Sequence, residues 1–98
     1  LKKLKDAEKL VTVRLGLSNS SKYLWDTQKY YFGYTHERFL TELQTEVCFL
    51  CSGLDYIASW ILSFEGEVEI LEPKDLKEKI HNIALKLFEK YGVYNSSE

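Results

Sequence analysis

A strict alternation of apolar and polar side chains near the start of the chain constrains its fold more than any other feature. Every second position from residue 11 to residue 17 is apolar, and the residues that share this spacing are Val11, Val13, Leu15 and Leu17. Because successive side chains of a strand point to opposite faces, this period of two predicts a half-buried strand.

A short helix is predicted to follow this strand. Ser18 is a helix N-cap candidate, because its hydroxyl can accept a hydrogen bond from the first turn. The segment 19–27 suits a helix whose Tyr23, Leu24 and Thr27 face a core.

The middle of the chain predicts a β-hairpin. The aromatic segment 28–34 ("QKYYFGY") is strand-like, 35–38 ("THER") suits a turn, and 39–49 alternates again. Two strands separated by so short a turn are expected to pair in antiparallel fashion.

The clearest helix of the chain begins near Ser52 and ends near Phe64. Asp55 is suited to the third helical position, where its carboxylate contributes to a cap. The apolar residues that fall on one helical stripe are Leu54, Ile57, Ala58, Ile61 and Leu62.

The last part of the chain predicts a turn, a strand and a helix. Gly66 supplies the turn, and Val68 and Ile70 point one way from the strand. Pro73 is suited to the first position of the final helix, and Gly92 is suited to cap its end. An apolar stripe is predicted on this helix, formed by Leu76, Ile80, Ile83, Leu87 and Tyr91.

These elements predict an α+β fold, with a ferredoxin-like βαββαβ antiparallel sheet and an added C-terminal helix. The expected strand order is 4-1-3-2. We assign residues 11–92 to this domain, residues 1–10 to a linker or helical tail from an upstream domain, and residues 93–98 to a tail. The chain contains no methionine, so we expect it to be a domain of a longer protein.

Length and charge exclude several classes of function. The chain has 98 residues and a formal charge of −2, so it fits one domain without the basic field that holds phosphates or anionic membranes. No apolar run approaches the roughly 18 to 20 residues of a membrane span, and no signal peptide begins the chain. We therefore expect a cytoplasmic protein.

Acidic residues concentrate where the predicted fourth strand lies. Glu67 and Glu69, together with Glu46 of the third strand, are expected to flank Arg14 on the polar face of the sheet. We interpret this set as a solvated strand face, because catalytic carboxylates require a histidine, a phosphate loop or a metal-ligand cluster nearby. Arg14 remains a candidate contact for a ligand on that face.

The remaining reactive residues predict no catalytic, cofactor or metal site. Cys48 and Cys51 have Cys-x-x-Cys spacing, which is found in thioredoxin-like redox sites but also in ordinary reduced cores, and the second interpretation is favoured. His36 and His81 are isolated from each other and from the cysteines, so they do not form a zinc-ligand pair with typical spacing.

The aromatic residues Tyr30, Phe32 and Tyr34 form the candidate interface. On a strand they would share one face at the edge of the sheet, where the two alternatives are core packing and an exposed docking surface. If they face outward, they predict self-association.

Residues 60–91 ("WILSFEGEVEILEPKDLKEKIHNIALKLFEKY") resemble the C-terminal extension (WCX) of bacterial WYL-domain transcription regulators. Such extensions show an apolar helix, a Ser-Phe-Gly-like turn, a strand ending in Val-Leu-Glu-Pro and a helix closing near a tyrosine. "VTVRL" at 11–15 resembles their first strand, and "DTQ" at 26–28 resembles their middle turn. The chain departs from this pattern at Glu65, in place of the usual turn glycine, and at Gly16, in place of a common basic residue.

The resemblance implies a dimerisation and signal-transmitting domain without catalytic activity, in a regulator that forms homodimers. It implies that DNA is bound only through a helix-turn-helix domain upstream of this chain. A small-molecule or nucleic-acid effector would act through an upstream WYL domain. The rival classes are a free-standing small-molecule-binding domain and an acylphosphatase-like enzyme. The enzyme is disfavoured because "LSNSSK" follows the first strand where a Gly-rich phosphate loop is required.

Overall fold

The computed structural model describes residues 10–92, and the predicted tails, 1–10 and 93–98, lie outside it apart from Leu10. The strands are β1 (Val11–Ser18), β2 (Tyr34–Phe39), β3 (Gln44–Cys51) and β4 (Val68–Glu72). The α-helices are α1 (Lys22–Gln28), α2 (Asp55–Leu62) and α3 (Lys74–Tyr91). Two 3₁₀ helices, Asn19–Ser21 and Lys29–Phe32, lie on either side of α1.

The strands form one antiparallel sheet in the order β2-β3-β1-β4, which is the predicted 4-1-3-2 order read from the other edge. β1 and β3 pair over their whole length, from Val11 opposite Cys51 to Ser18 opposite Gln44. The α+β class and the antiparallel sheet are therefore confirmed.

The core lies on one side of this sheet. It combines the odd-numbered residues of the two central strands with the inner faces of the three helices. The buried residues that form it are Val13, Leu15, Leu17, Trp25, Val47, Phe49, Cys51, Ile57, Ala58, Trp60, Ile61 and Leu76. The alternation in β1 thus separates a buried side from a polar side, as the sequence predicts.

The inward face of α1 differs from the prediction. Tyr23 and Leu24 are exposed, whereas Trp25 is fully buried and donates its indole N–H to the carbonyl of Ser18 at 2.8 Å. The helix begins at Lys22 rather than at residue 19, because a 3₁₀ turn comes first and changes which positions face the sheet.

The hairpin is also displaced from its predicted position. Residues 29–32 form a 3₁₀ helix rather than a strand, and the segment predicted as a turn, 35–38, lies within β2. Gly33 makes this possible with a φ of 84°, since a Cβ at this position would lie 2.0 Å from the carbonyl oxygen of Leu50. The true turn is formed around Thr41, whose hydroxyl accepts hydrogen bonds from the backbone of Leu43 and Gln44, both at 3.0 Å.

The second helix and the turn after it follow the prediction with shifted ends. α2 begins at Asp55, so Ser52 is not its cap, and Leu54 occupies the N-cap position without a side-chain hydrogen bond. Gly66 has a φ of 93°, as its predicted turn requires. Glu65 beside it also has a positive φ, of 57°.

α3 packs against the same core and forms an ion pair with α2. Pro73 lies immediately before the helix, one residue earlier than predicted, and Leu76 is fully buried. Lys79 Nζ lies 2.6 Å from Asp55 Oδ1 of α2. Gly92 caps the helix by donating its N–H to the Phe88 carbonyl at 2.7 Å, and its ψ of 146° makes its backbone extended. Among residues 10–92, none of the helices is long and apolar enough to cross a membrane.

We predict that Leu76→Ala lowers the free energy of unfolding by roughly 2 to 5 kcal/mol, because it opens a cavity beneath α3. Leu85→Ala is the matched control, since Leu85 lies on the same helix and is 46% exposed. Its effect should stay within about 0.5 kcal/mol. Denaturant unfolding of both variants measures the difference, and equal losses would contradict the docking of α3 through Leu76.

Candidate functional site

The side of the sheet opposite the core carries a cluster of charged and sulfur-containing residues, here called the polar face. Direct cross-strand pairing brings them together, since Arg14 lies opposite Cys48 and Glu72, and Arg38 lies opposite Glu46. The polar face consists of Arg14, His36, Arg38, Glu46, Cys48 and Glu72.

Glu46 is the centre of the polar face. Arg14 Nη1 donates to its Oε2 at 2.8 Å, and Arg38 Nε donates to its Oε1 at 3.0 Å. Arg38 Nη2 lies 2.9 Å from the same Oε1 as an ion pair. These two side chains leave the residue only 4% exposed. Their hydrogen bonds, first that of Arg14 and then that of Arg38, hold the pKa of Glu46 below its ordinary value by stabilising the charged form.

Arg14 meets one predicted partner and one unpredicted partner. The pairing with Glu46 is confirmed, but Glu69 lies opposite Gly16 and Glu67 precedes β4. Glu72 instead accepts a hydrogen bond from Arg14 Nε. The β1–β4 ladder shifts by one residue between Arg14 and Leu15, so Glu72 lies opposite Arg14 where a regular ladder would place Leu71.

The two cysteines cannot act as a Cys-x-x-Cys pair in this fold. Both lie on β3 as free thiols, and three residues of separation place them on opposite faces of the strand. Cys48 lies on the polar face, 3.4 Å from Arg14 Nη1, whereas Cys51 joins the core and donates to the Phe32 carbonyl at 3.4 Å. Burial raises the pKa of both thiols, which lowers their reactivity.

The aromatic trio does not share a strand face, so that part of the prediction is wrong. Tyr30 is 66% exposed on the 3₁₀ helix. Phe32 stacks on Trp60 of α2, with ring centroids 4.5 Å apart, and Tyr34 is half-buried at the start of β2. The stacking holds Phe32 against the core, and only Tyr30 of the three remains available to a partner.

A second charged cluster, which the sequence interpretation missed, surrounds Lys29. This side chain is 5% exposed, and its Nζ lies 2.7 Å from Asp26 Oδ1 and 2.5 Å from Glu37 Oε1. The same atom lies 4.3 Å from the ring centroid of Tyr34 and 5.3 Å from that of Tyr30.

Burial by itself would lower the pKa of Lys29, but the hydrogen bonds that its ammonium donates to Asp26 and Glu37 raise the pKa above its ordinary value. The sequence held one signal for this cluster, because Asp26 lies three residues before Lys29, a spacing that pairs side chains on a helix. The partner on β2 could not be found in this way.

The polar face neutralises its own charges, since two guanidinium groups meet two carboxylates. Arg38 is the member most available to another molecule, because its side chain is 67% exposed against 40% for Arg14. The face can therefore form hydrogen bonds with a partner, while the carboxylate of Glu46 is already occupied on both oxygens.

A comparison with protein-family models gives a match that covers most of the chain. A family model described as the WCX domain matches residues 10–88, which include the whole sheet, α1, α2 and most of α3. No curated protein matches the chain at a significant level.

We predict that Glu37→Gln lowers the free energy of unfolding by roughly 1 to 3 kcal/mol, because the buried ammonium of Lys29 loses a charged hydrogen-bond partner. Glu42→Gln is the matched control, since Glu42 is exposed in the β2–β3 turn. Its effect should stay within about 0.5 kcal/mol. Thermal or denaturant unfolding compares the two, and a neutral Glu37→Gln would show that Asp26 alone satisfies Lys29.

We also predict a pH-dependent stability difference between the native chain and Glu46→Gln. A carboxyl group whose pKa is lowered by folding stabilises the folded state above its unfolded pKa, near 4.5, and this contribution is lost as the pH falls through the folded pKa. The native chain should therefore be more stable at pH 7, and the difference should shrink progressively below pH of about 4.5. Urea unfolding from pH 7 to pH 3 measures it. A difference that is constant across this range would contradict the lowered pKa.

Proposed function

The chain belongs to the WCX domain family, and from that premise we propose that it is the C-terminal dimerisation and signal-transmitting domain of a bacterial WYL-type helix-turn-helix transcription regulator. In this proposal the domain is not catalytic and acts in the cytoplasm. The order of its elements and its β2-β3-β1-β4 sheet support a ferredoxin-like assignment.

The observation that carries the dimerisation proposal is an apolar stripe on α3 that extends beyond the domain's own core. The stripe starts at Leu76, which is fully buried, and Ile80 and Ile83 are partly buried against the same core. Its continuation is exposed, since Leu87 is 46% exposed and Tyr91 is 69% exposed. Because the apolar residues keep their helical spacing beyond the last residue that packs on the core, the exposed part of the stripe favours contact with another molecule.

A second copy of the chain is the partner that we propose for this stripe. Closed two-fold dimers are the commonest assembly of soluble proteins, and in such a dimer each helix would meet the same patch on its partner. Leu87 and Tyr91 would provide the aliphatic and aromatic contacts that are typical of interface centres.

DNA binding is assigned to upstream domains in this proposal. The formal charge of −2 provides no counterion-release term to drive association with a duplex. On the polar face, the guanidinium group of Arg14 is shared between Glu46 and Glu72, which leaves less positive charge for phosphates. The regulator's effector would act through the WYL domain, and the WCX domain formed by this chain would transmit the response between subunits.

We predict that the native chain forms dimers in sedimentation equilibrium and that Leu87→Glu weakens them by tenfold or more, on the order of 1.4 kcal/mol. Leu85→Glu is the matched control: both residues are 46% exposed on α3, but Leu85 lies nine residues, or two and a half turns, from Leu76 and so on the opposite side. It should dimerise as the native chain does.

Two results would contradict the proposal. A native chain that stays monomeric at high concentration would remove the dimerisation role from this domain. Equal weakening by both glutamate variants would show that the stripe is not the interface. Circular dichroism of each variant checks that the fold is retained.

A further inference from the structure

A cavity of about 310 Å³ opens where β3 ends and α2 begins. Its walls come from the 3₁₀ helix before Gly33, the end of β3 and the first turn of α2. The residues that matter here are Tyr31, Phe32, Cys51, Ser52, Asp55 and Tyr56. None of them belongs to the polar face or to the stripe on α3.

Two aromatic side chains at this cavity are almost fully exposed to solvent. Tyr56 is 85% exposed and Tyr31 is 83% exposed, the highest values among the exposed large apolar side chains of residues 10–92. Phe32, beside Tyr31, is stacked on Trp60 instead. The two tyrosines therefore contribute little to the core, and their ring faces are available to a ligand.

Asp55 is the one charged residue among those that line the cavity. Its side chain is 86% exposed, and the contact observed for it among the described residues is the ion pair of its Oδ1 with Lys79 Nζ. The lining itself contains no lysine or arginine, and Lys79 reaches this carboxylate from outside it. A carboxylate beside two accessible aromatic rings can attract a second cation, which would compete with Lys79.

We propose that this cavity binds an organic cation, of the guanidinium or quaternary ammonium class, between the tyrosine rings and the Asp55 carboxylate. The rings attract the cation through their faces, and the carboxylate neutralises it. The same chain already holds a cation by these means, because Lys29 is bound by Asp26, Glu37 and the rings of Tyr30 and Tyr34. The residues that carry this inference are not those that carry the dimerisation proposal, and they place a ligand site in this domain itself.

Lys79 competes with the ligand for the same carboxylate. Because Lys79 belongs to α3 and Asp55 to α2, a bound cation weakens the ion pair that joins these helices. Removing Lys79 and removing Asp55 must therefore have opposite effects on ligand affinity, although each removes the same ion pair. This contrast separates a binding role of Asp55 from a purely structural one.

The test is a titration of the ¹⁵N-labelled chain with choline, and separately with N-acetyl-arginine amide, at low ionic strength. Their uncharged counterparts, 3,3-dimethylbutanol and N-acetyl-citrulline amide, serve as controls. We expect saturable amide shifts confined to residues 31–33 and 51–57 for at least one cation and for neither control. Tighter binding of choline would indicate a free quaternary ammonium ligand, whereas tighter binding of N-acetyl-arginine amide would indicate an arginine side chain.

Asp55→Asn should weaken binding by roughly threefold to fivefold, because the cation loses the carboxylate that neutralises it. Tyr31→Leu should weaken binding by a similar factor, since an exposed cation–π contact contributes about 0.5 to 1 kcal/mol. Lys79→Met should strengthen binding by roughly twofold to fivefold, because it frees the carboxylate. The proposal is overturned if neither cation gives saturable shifts, if the uncharged counterparts bind equally, or if Asp55→Asn and Lys79→Met change the affinity in the same direction. Unchanged spectra outside the cavity confirm that each variant is folded.

Discussion

The antiparallel pairing of β1 with β3 is the constraint on which the rest of the structure depends. The two strands pair from Val11 opposite Cys51 to Ser18 opposite Gln44, and their side chains alternate between the two sides of the sheet. One side collects the helices around a single apolar core, and the other collects the charges of the polar face. Because a slip of one residue would exchange these sides, the apolar pattern fixes the register of the central ladder.

Charge is buried on both sides of this small domain by complementary means. On the polar face an acid, Glu46, lies between two arginines, whereas on the helical side a base, Lys29, lies between two acids and beneath aromatic rings. Every buried side-chain nitrogen and oxygen among residues 10–92 has a hydrogen-bond partner. Each cluster joins elements that are distant in the chain, so each stabilises the arrangement of the strands as well as its own charges.

α3 connects the two surfaces to which we assign roles. Its first half completes the core through Leu76, and its second half carries the exposed stripe ending at Tyr91. Between them, Lys79 binds Asp55 at the rim of the cavity near α2. In the proposed scheme, one ion pair therefore links the occupancy of the cavity to the helix that meets a second copy. That arrangement suits a domain that transmits a signal, because the Asp55 carboxylate can pair either with Lys79 or with the bound cation, which gives two discrete states.

The sequence by itself determined the parts of this protein that depend on local periodicity. The period of two predicted β1 and most of β3, helical spacing predicted α2 and α3, and the expected sheet order brought Arg14 to Glu46. Only the tertiary structure decided the rest. An aromatic run such as 28–34 has no period that separates strand from helix, and the stacking of Phe32 on Trp60 of α2 accompanies a 3₁₀ turn there. Glu72 lies opposite Arg14 because the ladder shifts by one residue at that point, and such a shift depends on how two strands distant in the sequence fit together.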